Sequence, residues 1–294
     1  MSKHLPPPRV AAIHDLSCFG RCALTVVMPT LSVMGYQVVP IPTALLSTHT
    51  GGFTDLHFRD LTSDMEATSA HFDTLNVRFR AIYTGFLGSA EQIQTVSDII
   101  TTFGSRADER GELPLILVDP VMGDDGELYS TYTTELMHGM RELCRHAHLL
   151  TPNLTEACFL TDTPYRETAT METAEALEFA KSLLQKLTAV TGGRIVITGI
   201  SLSDETLANV GLDANGQIFS VIRPHEVQHY PGTGDLFASV LLGKLLGGLA
   251  FPEAVAFAAE FTAAVMHDSA KIDTPARDGV ALEYHLGRLI PKNY

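Results

Sequence analysis

Pro231-Gly232-Thr233-Gly234-Asp235 runs straight into the apolar stretch Leu236–Leu246, joining a glycine-flanked turn to a long helix with an acid near its start. Glycines at such a point let the main chain approach an anion closely. The free N–H groups there, with the macrodipole, act as roughly half a positive charge. Asp235, ionised beside that cradle, can accept the proton of an attacking hydroxyl, a requirement of phosphoryl transfer. An ordinary turn with an acidic helix cap would use the same residues. The Gly-Lys-Ser/Thr ending of a P-loop is absent, which disfavours a Walker-type NTPase.

Outward from this helix, short β-rich apolar segments recur at Val10–Ile13, Val38–Ile41, Ala81–Tyr83, Leu115–Val118, His148–Leu150 and Ile195–Thr198. Between them, Gln92–Phe103 places Ile93, Val96, Ile99, Ile100 and Phe103 on one helical stripe, and Thr173–Leu187 repeats the pattern. Alternating strand and helix predicts an α/β fold, a mostly parallel sheet with helices on both faces. Leu207–Leu212 and Gln217–Ile222, joined by Asp213-Ala214-Asn215-Gly216, predict an antiparallel edge hairpin closed by an Asn-Gly turn. Gly234–Met266 should form two packed helices parted near Gly247–Pro252. No repeat, low-complexity tract or linker interrupts the chain, so residues 1–294 are expected to form a single domain.

With 45% hydrophobic and 18% charged residues, the chain has the balance of a folded globule. Its net charge of −14 opposes non-specific binding to nucleic acid or anionic membranes, so neither is an expected partner. A polyanionic substrate would need a local positive site made of amides, a metal or a few basic side chains. Met1–Pro8 carries prolines where a signal peptide would be apolar, and Leu236–Met266 is broken by Lys244, Gly247, Gly248, Pro252, Glu253 and Glu260. Cys18, Cys22, Cys144 and Cys158 form neither a spaced metal set nor a disulfide framework. A cytoplasmic location is the expectation.

Open parallel sheets bind ligands beyond the carboxyl ends of their strands. His14-Asp15-Leu16-Ser17 follows the first strand, and Pro42-Thr43 through Ser47-Thr48-His49-Thr50-Gly51-Gly52 follows the second. Both clusters can read a small polar ligand, although His14 and His49 also suit purely structural roles. Asp119-Pro120-Val121-Met122-Gly123-Asp124 ends a buried strand and offers carboxylates to magnesium or its waters, while a simple turn would also explain Asp124–Gly126. In Thr151-Pro152-Asn153-Leu154-Thr155-Glu156, Asn153 and Glu156 lie on one side of a first helical turn. That spacing suits water-mediated magnesium binding or a helix cap.

In chain order, Thr43 with Ser47-Thr48-His49-Thr50, Thr84-Gly85-Phe86, the Asp119–Asp124 run, the Thr151–Glu156 run and Gly232–Asp235 resemble the ribokinase-like superfamily. Within it they resemble the pyridoxal/pyridoxamine kinase branch, over residues 9–270. The resemblance implies a three-layer α/β/α fold, usually a homodimer. It also implies transfer of the ATP γ-phosphoryl group to the 5′-hydroxymethyl of pyridoxal, pyridoxamine or pyridoxine, the vitamin B6 vitamers. Asp235 would be the general base, Gly232, Thr233 and Gly234 the anion hole, and Asp119, Asp124 and Glu156 the residues serving Mg2+. Thr151, Asn153, Glu156, Thr198 and Gly199 would lie near the nucleotide, and Asp15, Ser17, Thr43, His49 and Phe86 around the vitamer. Members commonly also use a monovalent cation such as K+.

One departure bears on the substrate: Asp15 stands where many pyridoxal kinases have a serine that hydrogen-bonds the pyridine ring. A carboxylate there favours a protonated pyridinium or a different donor pattern. Hydroxymethylpyrimidine kinases share the fold, but generally carry a cysteine where this chain has Asp235. A non-catalytic vitamer-binding protein on the same fold is the rival of another class.

Overall fold

The computed structural model describes residues 5–130, 132–203, 206–224, 228–273 and 275–291 of the chain, so Met1–His4 lie outside the described residues. Its strands are β1 (Arg9–Phe19), β2 (Gln37–Thr48), β3 (Phe58–Asp60), β4 (Ala81–Thr84), β5 (Leu115–Val118), β6 (Gly123–Asp124), β7 (Glu127–Leu128), β8 (Leu149–Leu150), β9 (Arg194–Ser203), β10 (Thr206–Leu212) and β11 (Ile218–Pro224). Nine of them form one sheet in the order β11-β10-β9-β8-β5-β4-β1-β2-β3, and β6 with β7 makes a separate ribbon. From β9 to β2 the neighbours run parallel, whereas β3, β10 and β11 add antiparallel edges.

Successive strand residues point to opposite faces, and both faces are buried. In β1, Ala11 and Ile13 enter one core while Val10 and Ala12 enter the other; in β5, Ile116 and Val118 oppose Leu117. The first core is covered by α2 (Thr62–Thr74), α3 (Glu91–Gly104), α4 (Thr134–Cys144), α5 (Leu154–Leu160) and α6 (Thr173–Leu187). The second is covered by α1 (Leu24–Val33), α7 (Thr233–Leu246) and α8 (Phe251–Ser269). The result is a three-layer α/β/α fold. α7 is buried continuously from Leu236 to Gly243, as an all-round apolar helix must be, while Thr233–Asp235 at its start stay part-exposed.

The strands are longer than the apolar runs suggest, because pairing continues where the side chains turn polar. β1 and β2 go on past Ile13 and Ile41 through Ser17↔Leu46 to Phe19↔Thr48, so Asp15, Ser17 and Thr43 are strand residues and not loop residues. The pairing slips once: Thr43 and Ala44 of β2 stand against Asp15 alone, between His14↔Pro42 and Leu16↔Leu45. A second bulge sets Thr198 and Gly199 of β9 against Asn209 of β10, with Gly199 at φ +71. Bulges re-aim side chains beside sites, and both fall at predicted ligand positions. The edge hairpin closes through Asp213–Gln217, where Asp213 Oδ1 accepts from the Asn215 and Gln217 amides. Only Gly216 there is left-handed, so the tight two-residue Asn-Gly turn is replaced by a wider connection. Among the described residues no helix is long and apolar enough to cross a membrane.

Candidate active site

Gly232 caps α7 at φ +80, and a Cβ there would run into the Arg21 carbonyl, so only glycine lets the β1–α1 loop lie this close. The amides of Thr233, Gly234 and Asp235, in the first turn, find no acceptor among the described residues. Gly234 faces open space, and the Thr233 hydroxyl donates back to the Tyr230 carbonyl at 3.1 Å. Three unpaired N–H groups beside a side-chain-free gap make a cradle for an anionic group.

Asp235 sits at the end of this cradle with its side chain 15% exposed. Its Oδ2 accepts a 2.8 Å hydrogen bond from the Ala23 amide, and Ala23 holds the unusual backbone φ 48, ψ −131 that aims its N–H at the carboxylate. Burial pushes the Asp235 carboxyl up to about 7, against the Ala23 bond and with the help of the nearby Asp15 charge. Oδ1 lies 3.8 Å from His14 Nδ1. His14 is fully buried and its pKa is lowered by desolvation to about 3, so the ring is neutral and this approach is no ion pair. Gly85 makes the room for that ring, since a Cβ there would overlap it.

Asp15 is buried at the same strand end, accepts a 2.7 Å bond from the Ser17 hydroxyl, and is pushed by burial up to about 6. The Cys22 thiol, also raised by burial, lies within reach of the Asp15 and Asp235 charges. Thr43 is fully buried and donates to the Phe86 carbonyl at 2.9 Å, tying β2 to the segment after β4. Both ring nitrogens of His49 are engaged: Nδ1 accepts from the Gly51 amide at 3.1 Å, and Nε2 lies 2.6 Å from the Arg277 carbonyl.

Across the sheet, Asp119 is buried and accepts from the Thr151 hydroxyl at 3.1 Å, while burial and the Asp235 charge raise its carboxyl. Asn153 and Glu156 form a full capping box on α5, so the helix-cap alternative is present in the structure. The same pair also reaches outward. Glu156 Oε1 accepts from the Met122 amide at 3.1 Å, and Asn153 Nδ2 donates to the Gly123 carbonyl at 2.8 Å. The cap is thereby stapled to the Asp119–Asp124 loop. Asp124 is raised by burial and has His229 Nε2 at 3.6 Å. Thr198 donates its amide to the Pro152 carbonyl at 2.9 Å, and Gly199 leaves open space beside it.

Among the described residues no three His, Cys, Asp or Glu side chains converge as a ready-made metal cage. The donor chemistry nevertheless fits magnesium, which takes one or two carboxylates together with substrate phosphates. Asp119 and Asp124 keep lone pairs free, and burial, with neighbouring carboxylates adding to it, raises the carboxyls of Asp119, Asp124 and Glu156, so a cation bound there would favour their ionised forms. Sequence reasoning did not pick out Ala23 or Arg277. Ala23 acts through its backbone, and Arg277 lies far along the chain from the loop it meets, so neither leaves a local signal.

The chain belongs to the phosphomethylpyrimidine kinase family, whose model matches residues 27–278. It is 32% identical over 287 residues to a pyridoxine/pyridoxal/pyridoxamine kinase of Bordetella avium, covering 92% of this chain and 90% of that protein. A Bacteroides thetaiotaomicron protein solved in an orthorhombic form with pyridoxal is 39% identical, with a TM-score of 0.84 over 96% of this chain and 95% of that one. A pyridoxal kinase of Lactobacillus plantarum is 30% identical, with a TM-score of 0.84 over 96% of each chain.

Proposed function

We propose that the chain is a kinase that moves the γ-phosphoryl group of ATP onto the hydroxymethyl oxygen of a vitamin B6 vitamer. The observation that carries this reading is the placement of Asp235. It is a carboxylate held at one oxygen by the Ala23 amide, set at the end of the α7 N–H cradle and close enough to buried Asp15 to feel its charge. The activities named for the Bordetella and Lactobacillus relatives, and the pyridoxal in the Bacteroides structure, support a pyridine methanol as the acceptor.

In this reading Asp235 Oδ1 takes the hydroxyl proton while the alcohol oxygen bonds to the γ-phosphorus and the bridging bond to ADP breaks. A loose transition state lets that proton move late, so a carboxylate titrating about pH 7 is basic enough. The amides of Thr233, Gly234 and Asp235 stabilise charge on the transferring oxygens. Asp119 and Asp124, with Glu156 behind them, would hold magnesium, which when bound neutralises phosphate charge. Thr151, Asn153, Thr198 and Gly199 border the nucleotide, and Asp15 with Ser17 reads the pyridine ring. The family likeness also implies a homodimer.

The test is ATP turnover against pyridoxal, pyridoxamine, pyridoxine and hydroxymethylpyrimidine, with Asp235→Asn beside the parent. Turnover should favour a B6 vitamer, and Asp235→Asn should lose about two to three decades of kcat. Near-full activity in the variant removes the base assignment. A higher kcat/KM for hydroxymethylpyrimidine moves the substrate to the pyrimidine alcohol, and vitamer binding without turnover makes the chain a binding protein.

A further inference from the structure

We propose that the C-terminal turn 275–279 is a clasp that fixes the vitamer loop 49–53 and the base-holding loop 20–23 as one unit, with Arg277 and His49 as its positioning residues. The proposal rests on the kinase reading above for what the two loops do. Its geometry stands on its own.

The His49 ring is a bracket with a defined tautomer. Nδ1 accepts from the Gly51 amide, so the ring proton sits on Nε2 and is donated to the Arg277 carbonyl at 2.6 Å. Phe53 meets His49 edge-on with centroids 4.9 Å apart, and the Arg277 guanidinium lies over the opposite partner of that pair, 4.9 Å from the Phe53 centroid. One turn therefore grips the vitamer loop by a carbonyl and by a cation on an aromatic ring.

The same turn grips the neighbouring loop. The Arg21 amide donates to the Asp278 carbonyl at 3.1 Å, and its guanidinium donates to the same carbonyl at 3.3 Å. Gly279, at φ +82, would bring a Cβ to 2.7 Å from the Arg21 carbonyl, and Gly232 would run into that same carbonyl from the α7 side. Gly20, at φ +92, would bring a Cβ to 2.6 Å from His49 Cδ2. Two glycines from distant parts of the chain are thus cleared around the Arg21 carbonyl, and a third, Gly20, is cleared around the His49 ring. Two residues beyond Arg21 the Ala23 amide holds Asp235. A vitamer loop that shifts without the clasp would lose its register with the base.

Arg277 is exposed, so its replacement leaves the core intact. Arg277→Ala should raise the vitamer KM about five- to tenfold, with the ATP KM unchanged, as expected for loss of one cation–π grip. Hydrogen exchange at the 51–53 amides should quicken in the same variant. Arg277→Lys should stay within about twofold of the parent, because it keeps a cation over Phe53. His49→Gln, whose amide can donate to the Arg277 carbonyl and accept from Gly51, should rescue what His49→Phe loses. An unchanged vitamer KM and exchange rate in Arg277→Ala overturns the clasp, as does an equal rise in both KM values or a His49→Gln as impaired as His49→Phe. A parent protein that turns over no vitamer defeats the kinase reading, and the exchange measurement then still decides the clasp.

Discussion

Burial separates Asp235 from a surface aspartate of the same spelling. Its carboxyl is pushed up to about 7 because the charged form is denied water, and the single Ala23 amide does not compensate. Only the ionised form accepts a proton, so kcat/KM should rise with pH and level off above about 7. A pH–rate profile for the preferred vitamer checks this, and a flat profile from pH 5 to 8 would remove Asp235 from the rate law. Asn153 and Glu156 teach a different lesson at this scale. Their spacing suited both a cap and a magnesium site, and the structure shows the cap with both Glu156 oxygens accepting main-chain N–H groups. Any service to magnesium is rendered through the loop they staple.

At the scale of elements, the start of α7 holds two glycines with opposite physical constraints. Gly232 is left-handed and its Cβ position is filled by the Arg21 carbonyl, whereas Gly234 has open space where a side chain would go. Gly232→Ala should therefore cost stability, by about 1–3 kcal/mol for the backbone strain alone. Gly234→Ala should gain up to about 1 kcal/mol in helix propensity and still lose activity, because its methyl occupies the anion's space. Thermal midpoints measured alongside kcat check the pair. A Gly234→Ala protein that is both stable and fully active would show that the cradle is unused. The helix itself was legible from its apolar run. The two bulges were not, because a register slip opposite Asp15 or Asn209 depends on which strands pair.

Across the whole molecule, function and stability pull against each other. Asp235 titrates at about 7 when folded, against about 3.9 in an unfolded chain, so the folded state binds its proton more tightly. The stability this supplies is complete below about pH 4 and is lost as pH rises through about 7. Asp235→Asn removes the titration. Its stability relative to the parent should grow as pH rises from 4 to 8, measured by denaturant midpoints, and a difference independent of pH would place the carboxyl in ordinary solvent. The neutral buried His14 titrates with the opposite sign and lies 3.8 Å from Asp235, so the comparison reads the Asp235 carboxyl together with its effect on that ring.

The α/β/α architecture was largely present in the order of apolar runs, because strands buried on both faces must be continuous in hydrophobicity and their covering helices must be amphipathic. The helix start with its free amides and its acid was likewise local, written in Gly232–Asp235, since the first turn of any helix leaves its own N–H groups unpaired. Tertiary structure decided everything that needed a partner distant in sequence. Asp235 is held by Ala23, Thr43 lies opposite Asp15, and His49 is bracketed by Arg277. Desolvation, register and long-range hydrogen bonds are properties of neighbours in space, and no window of the sequence contains both members of these pairs.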